Sequence, residues 1–289
     1  MKFVTYKYKG AEHVGVLTAD ESAVIPAAEL GLKAESMLEL IDKLGGKLPA
    51  VSDNTKAIAL ADVKIEAPIP EPRQDVICLG LNYRDHVEEA TRADAVFDVQ
   101  RGDAVYFSKR LQRAVAPEDK IDGHFDICDS LDYEVELGVI IGRDAKNVKA
   151  ADAGKYIFGY TIINDVSARN LQTRHKQWYF GKSLDDFTPM GPCILSADTV
   201  GAMPELNIRC YVNGEKRQDS NTRMMIFDIP YIIEELSAGM TLKAGTVIAT
   251  GTPSGVALGM DPSVQKYLAS GDVVRCEIDE IGVLENTIA

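Results

Sequence analysis

The chain has 289 residues, of which 46% are hydrophobic and 26% charged, ordinary values for a globular protein with ample apolar material for a packed core. Its 44 acidic and 31 basic residues leave a net charge of -13, a field that repels phosphate backbones and argues against a nucleic-acid partner. No apolar run approaches the roughly 18–20 residues that span a bilayer, and the opening MKFVTYKYKG lacks an apolar core of signal-peptide length, so a cytoplasmic protein with no membrane partner is expected.

Residues 2–8 and 13–17 read as two short strands around the turn Lys9-Gly10. Met37, Leu38, Leu40, Ile41 and Leu44 fall at helical spacing, and Gly45-Gly46 ends that helix. The stretch Ala67-Pro68-Ile69-Pro70-Glu71-Pro72 resists helix and continuous sheet because proline lacks the amide donor. It reads as the joint between a small N-terminal module, residues 1–70, and a larger domain, residues 71–289. Beyond it, apolar strand-like runs dominate, at 76–80, 133–141, 160–163, 206–212, 247–250 and 273–278, and Asn213-Gly214 signals a type I′ hairpin. Helices are predicted from 85 to about 91, over 166–172, and over 231–236 with Pro230 at a first helical position. Regular βαβ alternation is absent, so the pattern predicts a β-rich α+β fold. The five cysteines, Cys78, Cys128, Cys193, Cys210 and Cys276, are odd in number and contain no C-x-x-C pair. They are expected as small buried hydrophobes rather than disulfides or a thiolate zinc site.

Chemistry concentrates in two acidic segments. In Asp132-Tyr133-Glu134-Val135-Glu136-Leu137-Gly138, a period of two puts Glu134 and Glu136 on one face and Tyr133, Val135 and Leu137 on the other. A half-exposed strand with a wet acidic face describes this segment equally well. In Tyr160-Thr161-Ile162-Ile163-Asn164-Asp165, an acid ends an apolar strand, where alone it reads best as a helix N-cap. Taken together, the segments place acids at the rims of buried strands, and clustered carboxylates cannot all stay ionised there without a cation. Three carboxylates without a nearby thiolate favour Mg²⁺ or Mn²⁺. The four histidines, His13, His86, His124 and His175, show no zinc-like spacing.

The segment 132–138 resembles the D-Y-E-x-E-L motif of the fumarylacetoacetate hydrolase family. Gly159-Tyr160-Thr161-Ile162-Ile163-Asn164-Asp165-Val166-Ser167-Ala168-Arg169 resembles that family's G-Y-T-x-x-N-D-x-S-A-R segment. Gln177-Trp178-Tyr179-Phe180-Gly181-Lys182-Ser183 and Thr250-Gly251-Thr252-Pro253-Ser254-Gly255-Val256 are similar to two further signatures. The resemblance covers residues 76 to 289 and implies a mixed β-roll or sandwich, usually a homodimer, with a divalent cation on Glu134, Glu136 and Asp165.

Other residues gain roles only through this resemblance. His86 and Glu89 sit at i, i+3, which by itself describes a surface contact of no consequence. The family implies a catalytic pair on a lid helix that takes a proton from water. Lys182, otherwise an ordinary solvated lysine, becomes a catalytic residue stabilising a developing enolate. The segment holding it is no P-loop, because Lys176 stands where that motif needs glycine. Gly251 and Thr252 belong to a turn whose amides and hydroxyl can hold a substrate carboxylate, and a plain Gly/Pro turn fits the pattern as well. Lys109 matches a family lysine usually followed by proline, where Arg110 stands here, and Gln218 is a weaker candidate substrate contact. These departures, with those at 94–103, lie near the expected substrate mouth and leave the substrate open.

The expected activity is metal-dependent hydrolysis of a C–C bond in a 2,4-dioxo acid such as an acylpyruvate, through an enolate. Oxaloacetate decarboxylation and isomerisation of a 2-hydroxyhepta-2,4-diene-1,7-dioate or 5-carboxymethyl-2-hydroxymuconate type stand as alternatives on the same scaffold. A non-catalytic, metal-braced ligand-binding dimer is the alternative of another class.

Overall fold

The computed structural model describes residues 1–51, 55–86, 89 and 103–289. Its centre is an eleven-stranded sheet. Val135–Ile141 and Ile157–Asn164 run antiparallel in the middle, and every residue of both is buried. That double-sided burial explains why both read as near-continuous apolar runs rather than as alternating ones. Val247–Ala249 follows on one side, then Val76–Gly80 in parallel and Val105–Lys109 at the edge. On the other side Met190–Ser196 joins the core to Lys2–Tyr8, through the pairs Lys2 with Leu195 and Phe3 with Ile194. The strands of residues 1–70 therefore share one sheet with those beyond. The proline-rich stretch crosses this seam with residues 67–70 buried, and Thr5 Oγ1 donates to Pro68 O at 2.7 Å.

A second, five-stranded sheet contains Asn207–Val212, Glu215–Asn221, Val273–Ile278 and Gly282–Ile288 with the short Lys120–Ile121. Its hairpin turns at Asn213 and Gly214 with φ of 51° and 80°, the two left-handed residues that a type I′ turn requires. Cross-sheet packing of Val135, Leu137 and Val139 with Ile208, Cys210, Cys276 and Leu284 belongs to one buried cluster. All five cysteines are buried free thiols.

The expected strands recur with shifted ends. The run 133–141 is strand only from Val135, because Tyr133 and Glu134 leave the sheet to build the site described below. The helix placed at 166–172 begins at Arg169 instead and ends at Arg174. Ser167 and Ala168 pair with Asp132 and Leu131 as a two-stranded ribbon, which satisfies their backbone and delays the helix. The last long helix, Ile229–Gly239, starts earlier than expected, so Pro230 follows the first position, and the Asp228 side chain caps Tyr231 N. Of the helix expected at 85–91, positions 85, 86 and 89 are helical, and 87, 88, 90 and 91 lie outside the described residues. No helix among the described residues is long and apolar enough to cross a membrane.

Candidate active site

The central strands end in a clip. Glu134 N donates to Asn164 Oδ1 at 3.1 Å and Asp165 N donates to Glu134 O at 2.8 Å, so the residues leaving the two strands face each other. The clip brings oxygens of Glu134, Glu136 and Asp165 within 4.8 Å of one another, at exposures of 6%, 1% and 0%. The wet acidic face is thereby excluded. The N-cap reading of Asp165 fails as well, because its carboxylate turns to two lysines while Ala168 holds the cap position.

Charge in this pocket is nearly, but not fully, balanced. Lys182 Nζ donates to Glu134 Oε2 at 2.8 Å and to Asp165 Oδ2 at 2.7 Å. Lys109 Nζ donates to Asp165 Oδ1 at 2.5 Å and to Val166 O at 2.9 Å. Arg169 Nη2 approaches Glu134 Oε1 to 2.6 Å, a charge contact without hydrogen-bond alignment, while its Nε donates to Asp132 Oδ2 at 2.8 Å. Burial works against ionisation of Glu134, but Lys182 and Arg169 outweigh it and hold the carboxyl at a pKa of about 2. Burial likewise disfavours the Lys182 ammonium, and Asp165 and Glu134 outweigh it, so its pKa is raised. At Lys109 burial wins over the Asp165 attraction and the pKa is lowered.

Glu136 differs. Its carboxylate accepts Gly251 N at 2.8 Å and forms no ion pair among the described residues. Burial pushes its pKa well above the carboxylate range, and the charges of Asp165 and Glu134 push it further. Were all four buried carboxylates ionised, Asp132 included, they would face three cations and leave one negative charge in excess at Glu136, which the raised pKa relieves by keeping that carboxyl protonated. A hard dication fits this donor set: all three candidate ligands are carboxylate oxygens, close together and water-poor, and one of them lacks a counter-charge.

Glu134 and Glu136 of the triad line a small pocket, of about 30 Å³, together with His86 and Glu89. His86 Nδ1 lies 3.1 Å from Glu89 Oε2. The Glu89 carboxylate also accepts Gly255 N, at 3.0 and 3.2 Å. Asn82, at the foot of the His86 helix, is bolted down by Nδ2 donating to Thr250 O and Phe227 O, with Oδ1 accepting Phe227 N. Phe107 and Trp178 meet edge to face at 5.2 Å and, with Leu81 and Leu258, form the apolar part of the lining, where the Phe107 ring lies under Lys182 Nζ at 5.2 Å. A Cβ on Gly80 would sit 2.3 Å from Trp178 Cζ3, so the bare backbone there makes room for the indole.

Of the residues singled out in the sequence, Glu134, Glu136, His86, Glu89, Lys182 and Thr252 line this pocket. Lys109, Gln218 and Gly251 sit one layer behind it. Gln218 spends its amide on Val135 N, Thr252 Oγ1 and Pro253 O, and Thr252 Oγ1 donates onward to Val135 O. These residues brace the turn, because their polar groups are consumed by the backbone they hold in place. Arg169, Gln172 and Trp178 also line the pocket and received no role from the sequence. Arg169 closes the 159–169 motif and Gln172 follows three residues on along one helix, joined to it at 3.0 Å, so the i, i+3 spacing was the signal that could have paired them.

Residues 75–289 match the family model described as fumarylacetoacetate (FAA) hydrolase C-terminal. The chain is 38% identical to the oxaloacetate tautomerase YisK of Bacillus subtilis (strain 168), over 100% of both chains. A solved structure of a fumarylacetoacetate hydrolase from Exiguobacterium antarcticum superposes with a TM-score of 0.86 at 38% identity, covering 100% of this chain and 99% of that one. A 2-hydroxyhepta-2,4-diene-1,7-dioate isomerase from Mycobacterium marinum follows at a TM-score of 0.76 and 29% identity, covering 100% of this chain and 98% of that one.

Proposed function

We propose a reaction for this chain on one premise: it belongs to the fumarylacetoacetate hydrolase family. The reaction is proton transfer at C3 of a short 2-oxo acid, interconverting its keto and enol forms. The observation that carries it is the His86–Glu89 pair lining the same pocket as Lys182, Glu134 and Glu136. With Nδ1 donating to Glu89, Nε2 of the pocket-lining imidazole is left as the acceptor, the arrangement of a general base. Two of the three Lys182 donors are spent on Glu134 and Asp165, which leaves one for an oxygen that gains negative charge as the C3 proton departs. Glu134, Glu136 and Asp165 would hold Mg²⁺ or Mn²⁺, which when bound polarises a keto oxygen as a Lewis acid. The charged and apolar groups of the lining support a 2-oxo acid, and the full-length relative named an oxaloacetate tautomerase supports the reaction type.

A second reading is hydrolysis of a 2,4-dioxo acid, which the same base and the 38%-identical hydrolase structure favour. Here His86 takes a proton from water, the hydroxide adds at C4, and the C3–C4 bond breaks. Its electron pair passes to the pyruvate-like fragment, which is then protonated at C3. One experiment separates the readings: wild type and His86→Ala with Mg²⁺ or Mn²⁺, on oxaloacetate and on acetylpyruvate. Acceleration of oxaloacetate enol–keto exchange that is lost in His86→Ala is the expected result. Cleavage of acetylpyruvate without such acceleration would replace it with the hydrolase. Turnover of neither substrate with either metal would leave a ligand-binding module. Decarboxylation of oxaloacetate needs no base, so His86→Ala should keep any such activity.

A further inference from the structure

We infer that Asp132 is a positioning residue that couples the cation site to the base pair, an inference resting on the cation-site and base assignments above. Asp132 is fully buried and all its acceptor capacity is committed. Oδ2 accepts Arg169 Nε at 2.8 Å and Leu258 N at 2.9 Å; Oδ1 accepts Ala257 N at 2.8 Å and Tyr133 N at 2.9 Å. One arm therefore leads to Arg169, whose Nη2 lies 2.6 Å from Glu134 Oε1. The other leads to the 255–259 loop, which seats Glu89. Gly255 N donates to the Glu89 carboxylate, and a Cβ on Gly259 would lie 2.3 Å from Glu89 Cδ. The ribbon pairing Ser167 with Asp132 sets the carboxylate beside the start of the Arg169 helix, so the hub is held by backbone on both sides.

This arrangement has two consequences. With Asp132 in place, much of the Arg169 charge is neutralised; without it, a full guanidinium charge would face Glu134 and oppose a dication there. Without it the amides of Ala257 and Leu258 would also lose their acceptor, and the cradle that holds Glu89 against His86 would loosen. Both arms end on one side chain, so a cation at the triad and closure of the cradle favour each other, reciprocally.

The test is Mn²⁺ binding to the full chain, together with amide hydrogen exchange of residues 255–259 with and without Mn²⁺. In wild type, Mn²⁺ should slow exchange in that loop. Asp132→Asn keeps the shape but turns a donor toward Arg169 or the loop. It should bind Mn²⁺ about tenfold or more weakly, the usual effect of losing a group behind a metal ligand, and lose the Mn²⁺-dependent slowing. Gly259→Ala, which leaves Asp132 and the triad intact and pushes Glu89 aside, should weaken Mn²⁺ about fivefold or more by reciprocity. It serves also if Asp132→Asn does not fold. Wild-type Mn²⁺ affinity in the folded variants, with loop exchange indifferent to Mn²⁺, would overturn the coupling while leaving the metal site standing. Failure of wild type to bind Mn²⁺ would overturn the cation-site assignment and this inference with it.

Discussion

Replacing Glu136 with glutamine removes the one triad carboxylate that has no cation beside it. Without metal, burial already favours the neutral carboxyl, and glutamine can still accept Gly251 N. The metal-free melting temperature should therefore match wild type or exceed it. With metal the two should part. Wild type at a Mn²⁺ concentration about 100 times its Kd gains about 2.7 kcal/mol. At about 2.1 cal/mol/K of unfolding entropy per residue, a chain of 289 residues shifts by about 1.6 °C per kcal/mol, so that is a rise of about 4 °C. Loss of a group merely behind a metal ligand costs about 10–100-fold in affinity, so loss of a ligand should cost about 100-fold or more. Glu136→Gln at the same Mn²⁺ concentration then sits near its own Kd and gains about 0.4 kcal/mol, a rise of about 1 °C. The assay is thermal unfolding followed by circular dichroism with and without Mn²⁺, alongside turnover of oxaloacetate. Equal Mn²⁺ stabilisation of variant and wild type would refute the assignment of Glu136 as a ligand. A metal-free variant melting far below wild type would refute the account of its burial.

Lys182→Met should reduce turnover by about 10²–10³, as loss of an oxyanion donor does, while Mn²⁺ binding by calorimetry is kept or tightened. The ammonium occupies Glu134 Oε2 and Asp165 Oδ2, so a loss of Mn²⁺ affinity would contradict that competition. Gly80→Ala drives a methyl into the ring of Trp178, the sole tryptophan, at 2.3 and 2.6 Å from two ring atoms. Its fluorescence emission should shift and the KM for a 2-oxo acid should change, and an unchanged spectrum would mean that the indole does not rest there. Glu66 is buried at 3% side-chain exposure and lies 2.9 Å from Lys7, 3.4 Å from Arg113 and 3.6 Å from Lys64. Burial raises its pKa, but these cations outweigh burial and the net shift is downward. Its stabilising contribution is thus present above the ordinary glutamate range and disappears as pH falls through the lowered value. Glu66→Gln should cost about 1 kcal/mol near neutral pH, since the cations are half exposed. That gap should close in acid, and a gap independent of pH would count against the ion pairs.

The legible part of this protein was its local pattern. Apolar runs at 76–80, 206–212 and 273–278 became strands, the second from Asn207, because β-branched residues fit a buried pleat wherever it lies. Asn213-Gly214 became a hairpin turn because two left-handed residues leave little else. Less legible was the direction of a charged side chain. Glu134 and Glu136 read equally well as a wet face until the clip with Asn164 and Asp165 put them inside. Asp165 read as a cap until the Ser167–Ala168 ribbon displaced the helix start. Lys109 and Gln218 read as substrate contacts, yet distant partners such as Asp165 and Thr252 absorb their donors behind the pocket. Asp132 drew no attention beyond its motif, since Arg169, Ala257 and Leu258 stand 37, 125 and 126 residues away in the chain.

The sequence by itself determined which residue types were available and which short segments would be strand, turn or helix, because those depend on side-chain sterics and hydrogen bonding over a few residues. Tertiary structure alone decided which carboxylates lost their water, which were neutralised by a cation and which, at Glu136, was not. Those outcomes depend on desolvation and on the charges within a few ångströms, and strands far apart in the chain set both.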